Sequence, residues 1–321
     1  MEIERTISSE GIPDGYSFEQ TRSNIILKFQ VPRSYDLSMI EFSIYDGTII
    51  AGIKGSEPLI CGKMFGSIIR ENHYITDGMF RIDIKKADSQ IWPVFIINPS
   101  DQGIDPKSQF ILGVYNDALG NENEAFSNIY QSAQRNYFPA QIFVSDIFLS
   151  DANPYGVKKD PVKAIQFLES ISPEKLTENI SLTLANAHLS IGQRSEAMNV
   201  LRSISRSSQI AKLQLAKMMS PIADVNGQQP EEAVKLLESL SNEGNLEALE
   251  LLSKHYLKGI GVKKDKNRSR EIEQRIREID PKYFPESKFS GTAKNVLVAA
   301  CISTVLIGAV TLIRIWRQQN K

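Results

Sequence analysis

The chain has 321 residues, with 37 Lys and Arg against 38 Asp and Glu, for a net charge of -1. So even a balance excludes the basic surplus by which nucleic-acid binders displace counterions. Two cysteines, Cys61 and Cys301, stand in unrelated contexts, which excludes a disulfide framework and points to a reducing compartment.

The first twenty residues hold no apolar stretch of the kind a secretory signal needs, so none is expected. Short alternating runs then follow closely: IILKFQV at 25–31, EFSIYDG at 41–47, TIIAGIKG at 48–55 and MFRIDIKK at 79–86. Turn residues separate them, at Pro32-Arg33, Asp46-Gly47, Gly62 and Asp77-Gly78. Period-two runs at this spacing predict an antiparallel β-sandwich over residues 1–100. Its Asp-Gly pairs suit tight hairpins.

Five stretches carry a resemblance: YSFEQT (16–21), the strand ending in Val31-Pro32, IKGSEPLICGKMF (53–65), NHYITDGMFRIDIKK (72–86) and Trp92. Together they resemble the CS domain, in its nuclear-distribution-C (NudC) branch. The match covers nearly all of residues 14–95. Phe18 and Tyr74 stand where that family usually has Trp, and Pro93 follows Trp92 where a second Trp is common. The resemblance implies cochaperone work: docking on the ninety-kilodalton heat-shock chaperone, or holding unfolded clients. Lys54, Lys85, Lys86 and Trp92 are the candidate partner-binding residues. The lysines are expected at the surface, whereas Trp92, with Tyr16, Phe18 and Tyr74, suits core packing better than contact.

From residue 101 the period changes. Gly120, Gly156, Gly192, Gly227 and Gly261 follow one another in steps of 36, 36, 35 and 34 residues. A step of about 34 to 40 residues marks stacked helix-turn-helix units. An apolar helical pattern precedes each glycine, as in FILGVYNDAL and ALELLSKHYL, and an amphipathic one follows, as in DPVKAIQFLESI and PEEAVKLLESL. The last, DKNRSREIEQRIREI, is far more polar, as a terminal capping helix should be. The glycines are expected in left-handed conformation past the first helix of each pair. Asp160 and Ser195 are expected N-caps, with Pro161 and Pro230 at first helical positions. Ala125, Ala164, Ala197 and Ala233 allow close helix approach.

The pentapeptide GVKKD occurs at 156–160 and again at 261–265. The phrases NPYGVKKDPVKAIQFL and YLKGIGVKKDKNRSR around it resemble Sel-one-like repeats, a subclass of the tetratricopeptide superfamily. Ala248, Leu252, Tyr256, Gly259, Gly261, Val262 and Asp265 match in one copy, and Gly156, Val157, Asp160, Lys163 and Ala164 in the other. The units at Gly120, Gly192 and Gly227 lack Val-x-x-Asp and read as generic tetratricopeptide-like units.

Residues 282–295 contain Pro, Gly and Ser without periodicity and read as a linker. The run VLVAACISTVLIGAVTLI begins at Val296, ends at Ile313 and holds no charge. Its length meets the lower end of what a bilayer span requires, about 17 residues. Lys294 flanks one side, and Arg314, Arg317 and Lys321 the other, with Trp316 at an interfacial position. It is expected as a C-terminal membrane anchor contacting lipid, followed by a basic tail at 314–321. Ala300, Thr304 and Gly308 fall four apart on one face and could pair two such helices as a homodimer.

Nothing predicts an enzyme or a cofactor. His73, His188 and His255 lack ligand-spaced partners. No phosphate loop or nucleophile elbow is present, and Gly259-Ile-Gly261 belongs to a repeat turn. The expected fold class is therefore multidomain: a CS-like β-sandwich (1–100), a helical repeat solenoid (101–281) and one transmembrane helix (296–313). The expected function is that of a tail-anchored cochaperone-type adaptor on the cytosolic face of the endoplasmic reticulum or a mitochondrial-type outer membrane. Its sheets would bind a chaperone or client and its repeats a second protein. The alternative is a non-chaperone scaffold for complex assembly, motor cargo or degradation machinery.

Overall fold

The computed structural model describes residues 7–8 and 15–282. Nine strands come first: β1 (Ile7–Ser8), β2 (Ser17–Gln20), β3 (Asn24–Gln30), β4 (Ile40–Tyr45), β5 (Thr48–Ile53), β6 (Ile60–Met64), β7 (Ile68–Thr76), β8 (Met79–Lys86) and β9 (Ile96–Asn98). Ten α-helices follow: α1 (Pro106–Leu119), α2 (Glu122–Gln134), α3 (Phe138–Leu149), α4 (Pro161–Glu169), α5 (Glu178–Ser190), α6 (Arg194–Ile204), α7 (Gln209–Met219), α8 (Pro230–Asn242), α9 (Leu246–Lys258) and α10 (Lys266–Ile279). Within the described residues the chain divides into two units, the break falling between Ile171 and Ser172.

The first unit holds both sheets and the first four helices. One sheet has the order β1-β2-β3-β8-β7 and the other β4-β5-β6-β9, with every pairing antiparallel. Alternation sorts the side chains. Ile25, Leu27 and Phe29 of β3 and Phe80, Ile82 and Ile84 of β8 point inward, joined by Ile49, Ala51 and Ile60 of the other sheet. The hairpins at Asp46-Gly47 and Asp77-Gly78 have positive φ at both residues, 47° and 72° in one, 51° and 75° in the other. This is the type I′ geometry that suits strand twist, and Asp tolerates it better than most residues.

The core does not stop at the expected boundary near residue 100. Phe110, Leu112, Ile129, Val144 and Phe148 belong to the same buried cluster as the sheets. Asp105 is the pin. One carboxylate oxygen caps α1 by accepting from Ser108 N at 2.8 Å, and the other accepts from Cys61 N of β6 at 3.0 Å. Its own N–H donates to Cys61 O at 3.1 Å. Tyr16 and Ser108 share a hydroxyl bond of 2.8 Å, and Lys107 Nζ donates to Tyr16 O.

The second unit consists of α5 to α10 in three pairs. Leu201, Leu215, Met219, Leu237, Leu240, Leu249, Leu252, Ile272 and Ile276 fill it, and Ala197, Ala211, Ala233 and Ala248 are fully buried at close helix contacts.

One backbone bond recurs in all five helix pairs. The N–H of the second helix's N-cap residue donates to a carbonyl eleven residues past the first helix's N-cap. The bonds are Asn121→Asn116 at 2.9 Å, Asp160→Phe148 at 2.8 Å, Gln193→His188 at 2.9 Å, Gln229→Met219 at 3.1 Å and Asp265→Tyr256 at 2.9 Å. The two GVKKD segments are long connections closed by this bond. Their aspartates then cap the next helix: Asp160 accepts from Lys163 N, and Asp265 from Asn267 N and Arg268 N. Ser195 is not the cap expected there. The N-cap lies two residues earlier, at Gln193, and α6 begins at Arg194; the Gln193 side chain instead meets His188 Nδ1 at 2.7 Å.

Gly120, Gly156, Gly192 and Gly261 have the expected left-handed φ, between 64° and 82°. Gly227 does not. It is glycine because a Cβ would lie 2.4 Å from the carbonyl carbon of Ser220. Spacing located the position, but close packing sets its identity.

The expected fold class is corrected in its membrane part. The described residues form two small sheets and helix pairs, and no helix among them is long and apolar enough to cross a membrane. The longest, α1 and α10, have 14 residues. At 1.5 Å per residue that is about 21 Å, against a hydrocarbon core of about 30 Å. The expected location at an intracellular membrane rested on such a helix and is corrected with it. The run at 296–313, including Ala300, Thr304 and Gly308, lies outside the described residues.

Candidate functional site

Of the four candidate residues, Lys86 and Trp92 come together, and Lys54 and Lys85 do not join them in one site. Lys54 is exposed after β5, its Nζ donating to Ser38 O at 2.6 Å. Lys85 is exposed on the outer face of β8, directly opposite Arg70 of β7.

Lys86 is buried, and all three ammonium donors are used within the protein. They go to Gln20 Oε1 at 2.7 Å, Thr21 O at 2.8 Å and Gln90 O at 2.7 Å. The ammonium also lies 5.3 Å from the Trp92 ring centroid. Burial pushes the Lys86 pKa down to about 8, with Asp88 pulling the other way. Trp92 is buried as well. Its N–H donates to Gln20 Oε1 at 3.0 Å, its carbonyl accepts from Gln20 Nε2 at 2.7 Å, and its indole donates to Asp88 Oδ1 at 3.1 Å. A surface role for Lys86 and Trp92 is corrected: they fasten the segment after β8 onto the first sheet.

The histidines are structural in placement. His255 is fully buried between Ile260 O at 2.7 Å, on Nδ1, and Ser220 Oγ at 2.8 Å, on Nε2. Nδ1 must donate to the carbonyl, so Nε2 accepts from the hydroxyl, and burial holds the ring's pKa below its usual value. His73 packs on Phe42 with ring centroids 4.3 Å apart. Among the described residues, no three His, Cys, Asp or Glu side chains are grouped to hold a metal ion.

The first two helix pairs carry a feature that no single segment of the sequence displays. Phe126 and Tyr130 of α2, Phe143 and Phe148 of α3, Tyr155 of the following connection and Phe167 of α4 form one connected set of rings. Neighbouring centroids are 5.7 to 6.4 Å apart. Phe148 is buried beneath Phe126, Tyr130 and Phe167, and the five rings other than Phe148 are partly exposed. Tyr155 donates to Asp117 Oδ1 at 2.8 Å, tying the second connection to the end of α1. Burial first, and then Asp117, push its phenol pKa up. Lys163 Nζ lies 5.3 Å from the Phe148 ring centroid. On the same helix as Phe143, burial raises the pKa of Asp146 to about 6. Partly exposed aromatics and a partly desolvated carboxylate on paired helices suit protein contact, because aromatics bring large area at low entropy cost. The i,i+4 spacing of Phe126 and Tyr130 was visible in the sequence. The rings that join them come from three other segments.

No family model matches the chain. No curated protein matches it. Among solved structures, it is similar to a Sel1 repeat protein from Oxalobacter formigenes, at 21% identity and TM-score 0.44, over 54% of this chain and 51% of that one. It is also similar to c5321 of uropathogenic Escherichia coli, at 17% identity and TM-score 0.36, over 68% and 49%. A nuclear movement protein from E. cuniculi GB-M1 is similar over 26% of this chain and 100% of its own, at 19% identity and TM-score 0.24. The chain thus spans about half the length of the first of these. At these scores the likenesses decide nothing about the residues above.

Proposed function

We propose that the protein is a protein-interaction scaffold acting by binding alone, with the aromatic surface of its first two helix pairs as a principal contact. The observation that carries this is the connected set of five partly exposed aromatic side chains, three of which pack on the buried Phe148 and two of which, Tyr155 and Phe143, extend the set from Phe126. Interfaces concentrate their energy in such residues. The test is quantitative co-purification with the full chain, comparing wild type with Phe143→Ala/Phe167→Ala and with Lys63→Ala/Lys258→Ala. The reading expects one or more proteins lost from the first variant and retained by the second, with all three proteins folded at the temperature of the assay. Identical recovery from all three would overturn it.

A narrower reading makes the scaffold a cochaperone. Its support is the CS-domain resemblance of residues 14–95, together with apolar side chains exposed on the sheet-bearing segment: Leu37, Met39 and Ile69, at 48%, 42% and 62%. Suppression of aggregation of a model client by the full chain is the expected result. Neither suppression nor chaperone binding would leave the plain scaffold.

A further inference from the structure

We infer that the free edge of β7 binds an extended acidic peptide by adding it as a further strand. Among the described residues strand β7 ends its sheet; eight of its nine residues pair with β8 and with no other strand, Ile69 being passed over where the register shifts between Ile68 and Arg70. The hairpin fixes which groups are free. A two-residue type I′ turn makes Thr76 and Met79 a hydrogen-bonded pair, and such pairs then alternate along the ladder. Tyr74, Asn72 and Arg70 therefore bond to β8, whereas the N–H and C=O groups of Ile75, His73 and Glu71 point away from it. The opposite side of β8 agrees: Gly78 O and Lys86 N bond toward Val31 and Ser23 at the two ends of the β3 side. No backbone bond to the outward groups of Glu71, His73 or Ile75 is formed from any other described segment. A long edge with free amides is a template for another strand.

Charge identifies the occupant. On the outer face of this sheet, Lys28 is paired with Glu19 at 2.9 Å and Arg81 with Asp83 at 2.8 Å. Asp83 also accepts from Tyr74 OH at 3.2 Å. Arg70 and Lys85 stand directly opposite each other, with no acidic partner in the described residues. Like charges facing across two strands are destabilising. An added strand with a carboxylate opposite Arg70 removes that repulsion. At the other end of β7, Tyr74 and Ile75 line a shallow groove with Tyr35, Asp36, Leu37 and Ser38, in which the exposed Leu37 offers apolar contact. The occupant is an extended peptide, acidic toward Arg70 and apolar toward Ile75.

The probe is a blocked eight-residue peptide alternating Glu and Val, titrated onto the full chain. Fluorescence anisotropy reads affinity, and amide hydrogen exchange reads the site. Saturating peptide should protect the Glu71, His73 and Ile75 amides. R70E/K85E should weaken binding about tenfold or more, the loss of exposed ion pairs being compounded by new repulsion. Lys63→Glu/Lys258→Glu, with the same charge change elsewhere, should leave affinity within about twofold. A peptide N-methylated at alternate residues should not bind. Equal binding of the N-methylated peptide would show a charge contact only and overturn strand addition. So would absence of protection at the three amides, or equal weakening by both double variants. Any of these outcomes leaves the aromatic surface of the helix pairs untouched.

Discussion

The two units hold their polar groups differently. In the first, a few are buried as anchors: Lys86 with three oxygens, Asp105 between α1 and β6, and Gln20 bonded to both sides of the Trp92 backbone. In the second, charges link successive helix pairs from the surface, as in Arg194 with Asp224, Arg202 with Glu232 and Lys217 with Glu247. Order there comes from repetition, namely buried alanines, a recurring backbone bond and leucine layers. A repeat array spreads its stability over many equivalent contacts. A sheet joined to a helix has no repeat to rely on, so single buried polar groups specify the join.

The largest expected effect is therefore in the first unit. Lys86→Met should cost about 4 kcal/mol, because it strips buried oxygens of their donor while filling similar space. Chemical denaturation monitored by Trp92 fluorescence measures it, and a cost below about 1 kcal/mol would mean that the buried network is not an anchor.

Asp105 gives a pH signature. Burial raises its pKa from 3.8 to about 6, against the hydrogen bonds from Ser108 and Cys61. A raised folded-state pKa means that its contribution is fully present below about pH 4 and is lost as pH rises through 6. Relative to Asp105→Asn, wild type should lose about 3 kcal/mol between pH 4 and 7. Parallel stability curves for the two proteins would refute this.

In the second unit, effects should be graded by local geometry. Gly261→Ala meets both a left-handed φ of 68° and Pro230 O at 2.3 Å from the new Cβ, and should cost about 3 kcal/mol. Gly192→Ala meets only the φ of 79°, with open space around it, and should cost about 1 kcal/mol. Thermal unfolding should preserve that order. Smallest of all, Lys217→Ala breaks an exposed pair with Glu247 and should change stability by under about 1 kcal/mol.

The same contrast explains what could be read from sequence. Repetition is periodic, so glycine spacing located all five helix pairs, and the first GVKKD located the capping Asp160; the structure adds Asp265 at the same place in the second. Spacing does not separate a left-handed glycine from one kept small by a neighbour, hence the misassignment of Gly227. Lys86 was misplaced although the signal was present. It shares the inward parity of Phe80, Ile82 and Ile84, and a lysine beside Lys85 was taken for surface. The aromatic surface was least legible, since Phe126, Phe143, Tyr155 and Phe167 lie in four separate segments that only the folded chain brings together.

The central claim is that the partly exposed rings of the first two helix pairs contact a protein partner. Photo-crosslinking tests it most directly, with a benzophenone side chain in place of Phe143 in the full chain and, as control, in place of Lys63 on β6. The expected result is a discrete covalent adduct from position 143, absent at position 63 and lost when Phe167 is also replaced by Ala. No adduct above the level at position 63, in a chain that folds normally, would contradict the account.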